Sequence, residues 1–221
     1  MLELAKSTYY TAFRRLFKEV LHARAEANHI LRFLRPMEKG FERLSLSDDF
    51  PQLAGMFRPL MHQVLLVWKH SKHYNTPQRM VILMREICND LIAQACKYVE
   101  ADKVLSDEPQ DAVTQLKMAL RVLGTFKSIY FEYRSKSAHE CPDNPWRFQN
   151  SALFARLDAF LERVHDLLEL AETMLQFLRL ERVEIGGTHG KGLTITVKQI
   201  YTEFLKAREE LSQARNCGLS V

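Results

Sequence analysis

A chain of 221 residues with 47% hydrophobic and 26% charged content can bury one sizeable core and is too apolar for intrinsic disorder. Lys and Arg exceed Asp and Glu by four, 31 against 27, a mildly basic balance that does not by itself imply a nucleic-acid partner. Cys88, Cys96, Cys141 and Cys217 form no CxxC pair and are too sparse for a disulfide scaffold, which predicts a reducing, cytoplasmic setting.

The opening MLELAKSTYYTAFRRLFKEV breaks its apolar residues with charges every few positions, so it lacks the continuous apolar run of a signal peptide or membrane span. From Thr8 to about Phe33, apolar Phe13, Leu16, Phe17, Val20, Leu21, Ile30, Leu31 and Leu34 recur at helical steps and predict a first amphipathic helix. Asp49 is a candidate N-cap for a second, from Phe50 or Pro51 to about Trp68, striped by Leu53, Phe57, Leu60, Val64, Val67 and Trp68. Thr76 and Pro77 open a third, with Met80, Leu83, Ile87, Leu91 and Ala95 on one face and fraying near Glu100. The SDEP stretch from Ser106 to Pro109 starts a fourth, in which Val113, Leu116, Leu120, Leu123, Phe126 and Tyr130 repeat and Gly124 is a local weak point.

Residues His139 to Trp146 hold two prolines and no period, so the chain runs extended there until Asn150 or Ser151 caps a fifth helix. Phe154, Leu157, Leu161, Val164, Leu168, Ala171, Leu175 and Leu178 alternate steps of three and four, and Phe160, Leu167 and Met174 form a second row beside them. So wide a stripe needs neighbours on two sides. A glycine-rich break, Gly186 to Gly192, precedes a last helix expected around Ile195 to Leu211, with Arg182–Ile185 and Leu193–Val197 able to extend briefly. The pattern predicts an all-α fold, an elongated bundle or stacked array of about six amphipathic helices.

Tests for chemistry fail on residue identity. A phosphate loop ending at Lys191 would need a glycine where Ile185 sits and a hydroxyl residue where Gly192 sits, so no nucleotide or other cofactor is expected. His70 and His73 lack further ligands at metal spacing, and His139, Glu140 and Cys141 are adjacent and point apart, so neither a metal nor a catalytic role is assigned. Arg14, Arg15, Lys18 and His22 gather on the first helix, but Glu19 and Glu26 dilute them and the aromatics lie on apolar stripes, which favours a solvated face over base stacking.

Four strings carry a resemblance. EANHILRFLRPMEKGFE, with Glu26, Ala27, Asn28, Phe33 and Leu34, is similar to a segment of the dynein heavy chain tail. VWKHSKHYNTPQRMVILMREICNDLI, with Trp68, Ser71, Tyr74, Asn75, Arg79, Ile87 and Asn89, resembles the same tail. So does PWRFQNSALFARLDAFLERV, with Trp146, Phe148 and Phe154, while FLRLERVEIGGTHGKGL followed by QIYTEF resembles a passage of the axonemal outer-arm beta type. The resemblance runs from about Tyr9 to Lys206 and sets residues 1–210, as part of the tail domain, apart from 211–221, an atypical end expected to be disordered.

The resemblance implies a non-catalytic stem segment that joins heavy chains to one another and to intermediate and light chains, and indirectly to axonemal docking sites in a cilium or flagellum. The family's motor ring, with its ATP sites and microtubule-binding stalk, has no counterpart in these residues, and neither nucleic acid nor membrane is an expected partner. The alternative is a free-standing helical adaptor or weak nucleic-acid-binding module. The signature positions Glu26, Ala27, Asn28, Trp68, Tyr74, Asn75, Arg79, Trp146, Phe148 and Phe154 are expected to be structural, since Trp68 ends an apolar stripe and Tyr-Asn-Thr-Pro is a natural turn into a capped helix.

Overall fold

The computed structural model describes residues 8–46, 49–99 and 109–218, with the side chains of 8, 46 and 211–218 left aside. They form six α-helices, α1 (Thr8–Leu46), α2 (Phe57–His70), α3 (Pro77–Tyr98), α4 (Pro109–Glu140), α5 (Asn150–Arg179) and α6 (Gly190–Gly218), and two 3-10 turns, Phe50–Met56 and Leu180–Arg182. The fold is all-α, with no strand among the described residues. Two compact units result: one takes the chain up to Leu91 together with Gly124–Ala155, the other Ile92–Leu123 and the chain from Arg156 onward.

In the first unit, α1 runs well past the end expected near Phe33 and carries Pro36 inside it. A proline there removes one ladder hydrogen bond and crowds the preceding turn. The helix continues because Met37 and Leu44, both fully buried, hold its second half where α1 packs on α2. Gln63 Nε2 also donates to the Pro36 carbonyl at 3.3 Å.

The expected second helix divides in two. Phe50–Met56 is a 3-10 turn with proline at its start, and the α-helix begins only at Phe57. Pro59 explains the boundary, since with no N–H it is best tolerated in a first turn. Asp49 occupies the N-cap position without capping through its side chain, which accepts instead from Gln52 Nε2. Residues 106–108 of the SDEP start and Glu100 lie outside the described residues, and α4 crosses Gly124 without a break.

The second unit draws its core from Ala95 of α3, from Val113, Leu116, Ala119 and Leu123 of α4, and from Leu157, Val164, Leu168, Ala171 and Met174 of α5. Lys117 pairs with Glu172 at 2.7 Å, and Phe177 of α5 stacks on Phe204 of α6 at 5.1 Å. One of the two segments expected to extend briefly is corrected here. Leu193–Val197 is helical, because α6 starts at Gly190 rather than Ile195, whereas Arg182–Ile185 leaves the 3-10 turn with extended angles at Val183 and pairs with no strand among the described residues.

The glycine run builds this turn. Gly187 takes a φ of +94°, and a Cβ on Gly190 would stand 2.1 Å from the Ile185 carbonyl oxygen. Thr194 Oγ1 locks the arrangement by accepting from Ile185 N at 3.1 Å and donating to the Gly190 carbonyl at 2.8 Å. At the other end α6 continues to Gly218, beyond the expected Leu211.

Candidate interaction surface and the signature corner

Two features of the first unit stand out, one buried and one exposed. The buried one begins where α2 ends. Ser71, 2% exposed, turns the chain by accepting from the backbone N–H of Tyr74 at 3.1 Å and of His73 at 3.4 Å. This brings Tyr74 under the guanidinium of Arg79, 4.9 Å from the ring centre, and Arg79 also donates to the His73 carbonyl at 2.9 Å and pairs with Glu26 of α1. Arg79 holds the Glu26 carboxyl below its usual range, chiefly through that hydrogen bond.

The segment 141–149 closes the corner from the other side. Trp68 Nε1 donates to the Asn144 carbonyl, and Asn144 Nδ2 donates to the Asn75 carbonyl at 3.3 Å. Trp68 meets Phe148 edge-on at 5.2 Å, Phe148 stacks with Trp146 at 6.0 Å, and Trp146 stacks with Tyr130 of α4 at 6.0 Å. Phe154 of α5 meets Tyr130 edge-on at 4.9 Å. Such ring pairs add to the large area each aromatic buries.

Most polar groups inside the corner are satisfied locally. Ser137, fully buried, accepts from the Trp146 backbone N–H at 2.9 Å and donates to the Arg134 carbonyl at 3.0 Å. Asn150 Oδ1 accepts from Tyr130 Oη at 3.1 Å and from Arg134, so this side chain is committed to α4. Burial raises the Tyr130 hydroxyl above its ordinary pKa and so keeps it a neutral donor. Trp146 Nε1 meets no acceptor among the described residues.

Glu26, Trp68, Tyr74, Asn75, Arg79, Trp146, Phe148 and Phe154 therefore come together by contact, although they span four helices and two connecting segments. Ala27 and Asn28 stay exposed on α1 and take no part. Ser71, Ser137, Tyr130, Arg134, Asn144 and Asn150 hold the corner without having been singled out as site residues. Ser137 had a readable signal: it lies seven positions after Tyr130, in the apolar row of α4, where a polar side chain must find partners.

The residues weighed for chemistry lie elsewhere or apart. His70 is exposed at the end of α2, and the His73 ring lies edge-on to His22 at 5.9 Å and to His29 at 5.6 Å. Glu140 pairs with Lys69 at 3.3 Å, and burial pushes the Cys141 thiol up, away from thiolate chemistry. No helix among the described residues is long and apolar enough to cross a membrane.

The exposed feature is the first half of α1. Phe13, Leu16, Phe17 and Val20 are 53–66% exposed, and Tyr9, Tyr10 and Leu21 are exposed beside them. Phe13 and Phe17 stack on each other at 6.4 Å, and Arg15 pairs with Glu19 at 3.1 Å. Arg14, Arg15, Lys18 and His22 are all solvated here.

A family model described as "Dynein heavy chain, N-terminal region 1" matches residues 1–221, including the stretch 211–221 that the sequence set apart. Among relatives, the flagellar outer-arm dynein beta chain of Chlamydomonas reinhardtii is 57% identical over 213 residues, 96% of this chain and 5% of its own length. Dynein axonemal heavy chain 9 of Homo sapiens is 34% identical over 216 residues, 96% of this chain and 5% of its own. Dynein axonemal heavy chain 11 of Sus scrofa is 32% identical over 218 residues, 97% of this chain and 5% of its own length. The chain thus spans about 5% of the length of these relatives, and it belongs to the dynein heavy chain family as part of its N-terminal region 1.

Proposed function

We propose that this chain is a non-catalytic stem segment of an axonemal dynein heavy chain, serving heavy-chain association, binding of intermediate and light chains, and docking of the motor for microtubule-based ciliary or flagellar movement. The supporting observation is the 57% identity to a flagellar outer-arm beta chain across 96% of the residues. The fold is consistent with such a role. Its apolar rows are largely spent on helix packing and aromatic contacts, and a long row left in solvent on α1 has the character of an association surface rather than of a reaction site. ATP turnover and microtubule contact belong, on this reading, to the rest of the heavy chain.

The test is a pull-down with the purified, tagged 221-residue chain from an axonemal high-salt extract, followed by quantitative mass spectrometry. Enrichment of dynein heavy, intermediate or light chains over a scrambled helical control is expected. Recovery of none of them, from an extract in which all are detected, would remove the assembly role. A nucleic-acid-binding role would show instead as nucleic-acid capture that weakens steeply with salt.

A further inference from the structure

Beside the buried corner, the last turns of α4 and the 141–149 segment enclose an open cleft of about 430 Å³. Phe131, Arg134 and Ala138, three and four positions apart on one face of α4, line one wall, and Pro142, Trp146 and Arg147 line the other. Much of the lining is apolar. Phe131 lies edge-on to Tyr130 at 5.4 Å yet stays 45% exposed, and the Trp146 ring is held between Tyr130 and Phe148. Both walls belong to the first unit.

The donors in this cleft lack a negative partner. Arg134 is half-buried and donates to a neutral acceptor, Asn150 Oδ1, with no carboxylate opposite it among the described residues. Arg147 is exposed and has no ion pair among them. Trp146 is 1% exposed, and its Nε1–H is buried without an acceptor among them. Buried donors and charges are ordinarily answered, so three such groups in one lining mark a place for an anionic acceptor. The nearby acids do not supply it. Glu132 and Glu140 fall on the far side of α4, roughly 120° or more from the cleft face, where Glu132 pairs with Arg58 and Lys136 and Glu140 with Lys69. Asp143, exposed on the turn beside Pro142, pairs with neither arginine.

We infer that this cleft docks an extended segment of a partner polypeptide in which an Asp or Glu stands next to a large apolar side chain. The carboxylate accepts from Arg147 and Arg134, with Trp146 Nε1–H as the third donor, and the apolar side chain lies against Phe131, Ala138 and Pro142. This rests on reading the chain as an assembly segment and names a surface and the partner's chemistry. A nucleic acid or an anionic membrane fits poorly, because both call for a row of unpaired cations, whereas Lys136 is taken by Glu132 at 2.8 Å and Asp143 stands beside the cleft.

A phage-displayed library of random heptapeptides, selected on the purified 221-residue chain at moderate salt, supplies the probe. Enriched peptides are expected to include a set that shares an Asp or Glu beside an aromatic or long aliphatic residue. Arg147→Glu, at an exposed position, is expected to weaken binding of that set at least about tenfold. Trp146→Phe keeps a ring in the stack and removes the N–H, and is expected to weaken it about fivefold. The melting temperature reports whether each variant is folded, and Arg147→Glu carries the test if Trp146→Phe is not. The chain has two tryptophans and therefore two indole N–H resonances. Peptide binding should move that of Trp146 downfield, and move less that of Trp68, which already donates to the Asn144 carbonyl.

The inference is overturned if every enriched peptide lacks an acidic residue or binds folded Arg147→Glu as tightly, if none is enriched, or if the Trp146 resonance stays in place. Displacement of the peptide by an equal concentration of duplex DNA or of inorganic phosphate overturns it as well, as does a dimer of the chain that Arg147→Glu dissociates. In each case the stem reading is left standing. It fails on a different result, a pull-down that recovers no dynein subunit.

Discussion

The corner around Trp68 and Trp146 and the first half of α1 are about equally rich in aromatic and aliphatic side chains, yet one is sealed and the other open. In the corner, rings from α2, α4, α5 and the 141–149 segment meet one another, and the backbone groups between them are answered by Ser71, Ser137 and Asn144. On α1 the rings meet little beyond the helix that carries them. Apolar content thus does not separate folding from binding in this chain. What separates them is whether other elements of the chain pack on the rings, with polar side chains answering the backbone where the chain leaves its helices.

The largest effect should come from emptying the corner. Trp146→Ala removes a 1% exposed ring that stacks on Tyr130 and Phe148, and a loss of about 3–5 kcal/mol in unfolding free energy by urea titration is expected. A loss below about 1 kcal/mol would mean that the rings are not packed as described and that the corner and the α1 surface differ less than their exposure suggests.

The sequence made this outcome only half readable. Helical periodicity placed all six helices, because each apolar row reports directly on the face that must leave water. It misjudged boundaries where tertiary contact overrides local preference: α1 crosses Pro36 on the strength of Met37 and Leu44, and Leu193–Val197 is drawn into a helix whose turn depends on Gly190. The signature residues were readable by resemblance, but their meeting was not, since Glu26 and Arg79 lie 53 positions apart and Trp68 and Asn144 lie 76 apart. The polar partners were the least legible, because a serine in a helix is ordinarily solvent-facing and only the register of Ser137 marks it as buried.

That serine gives the next effect. Ser137→Ala leaves the Trp146 backbone N–H, in a buried position, without its acceptor, and a loss of roughly 1–2 kcal/mol is expected by the same titration. Ser137→Thr keeps the hydroxyl and should recover part of it. If alanine is neutral, the polar framework of the corner is dispensable and the distinction from the α1 surface rests on ring packing alone.

Smaller still is the contribution of ion pairs at the rim. The Glu26 carboxyl is held below 4.5 by Arg79, and the Glu132 carboxyl likewise by Arg58 and Lys136. A carboxyl whose folded pKa lies below its unfolded value adds stability above the unfolded value and loses it as pH falls through the folded one. Melting temperature should therefore decline below about pH 4.5, less steeply in Glu26→Gln, and the decline should shallow in high salt because both pairs are solvent-accessible. An acid limb unchanged in the double variant Glu26→Gln, Glu132→Gln would assign it to other carboxyls.

The smallest effect belongs to the open surface, and its size is the sharpest check on the contrast. Leu16 is 57% exposed, so most of its area stays in water in the folded chain and little burial is lost on truncation. Alanine is also at least as good a helix former, and Leu16→Ala should change unfolding free energy by less than about 0.5 kcal/mol. Set beside Trp146→Ala, which empties a larger and fully packed site, Leu16→Ala should cost at least roughly sixfold less. A cost above about 1 kcal/mol for Leu16→Ala would show that the α1 row is already covered by the chain itself, and α1 would then have no free face for association.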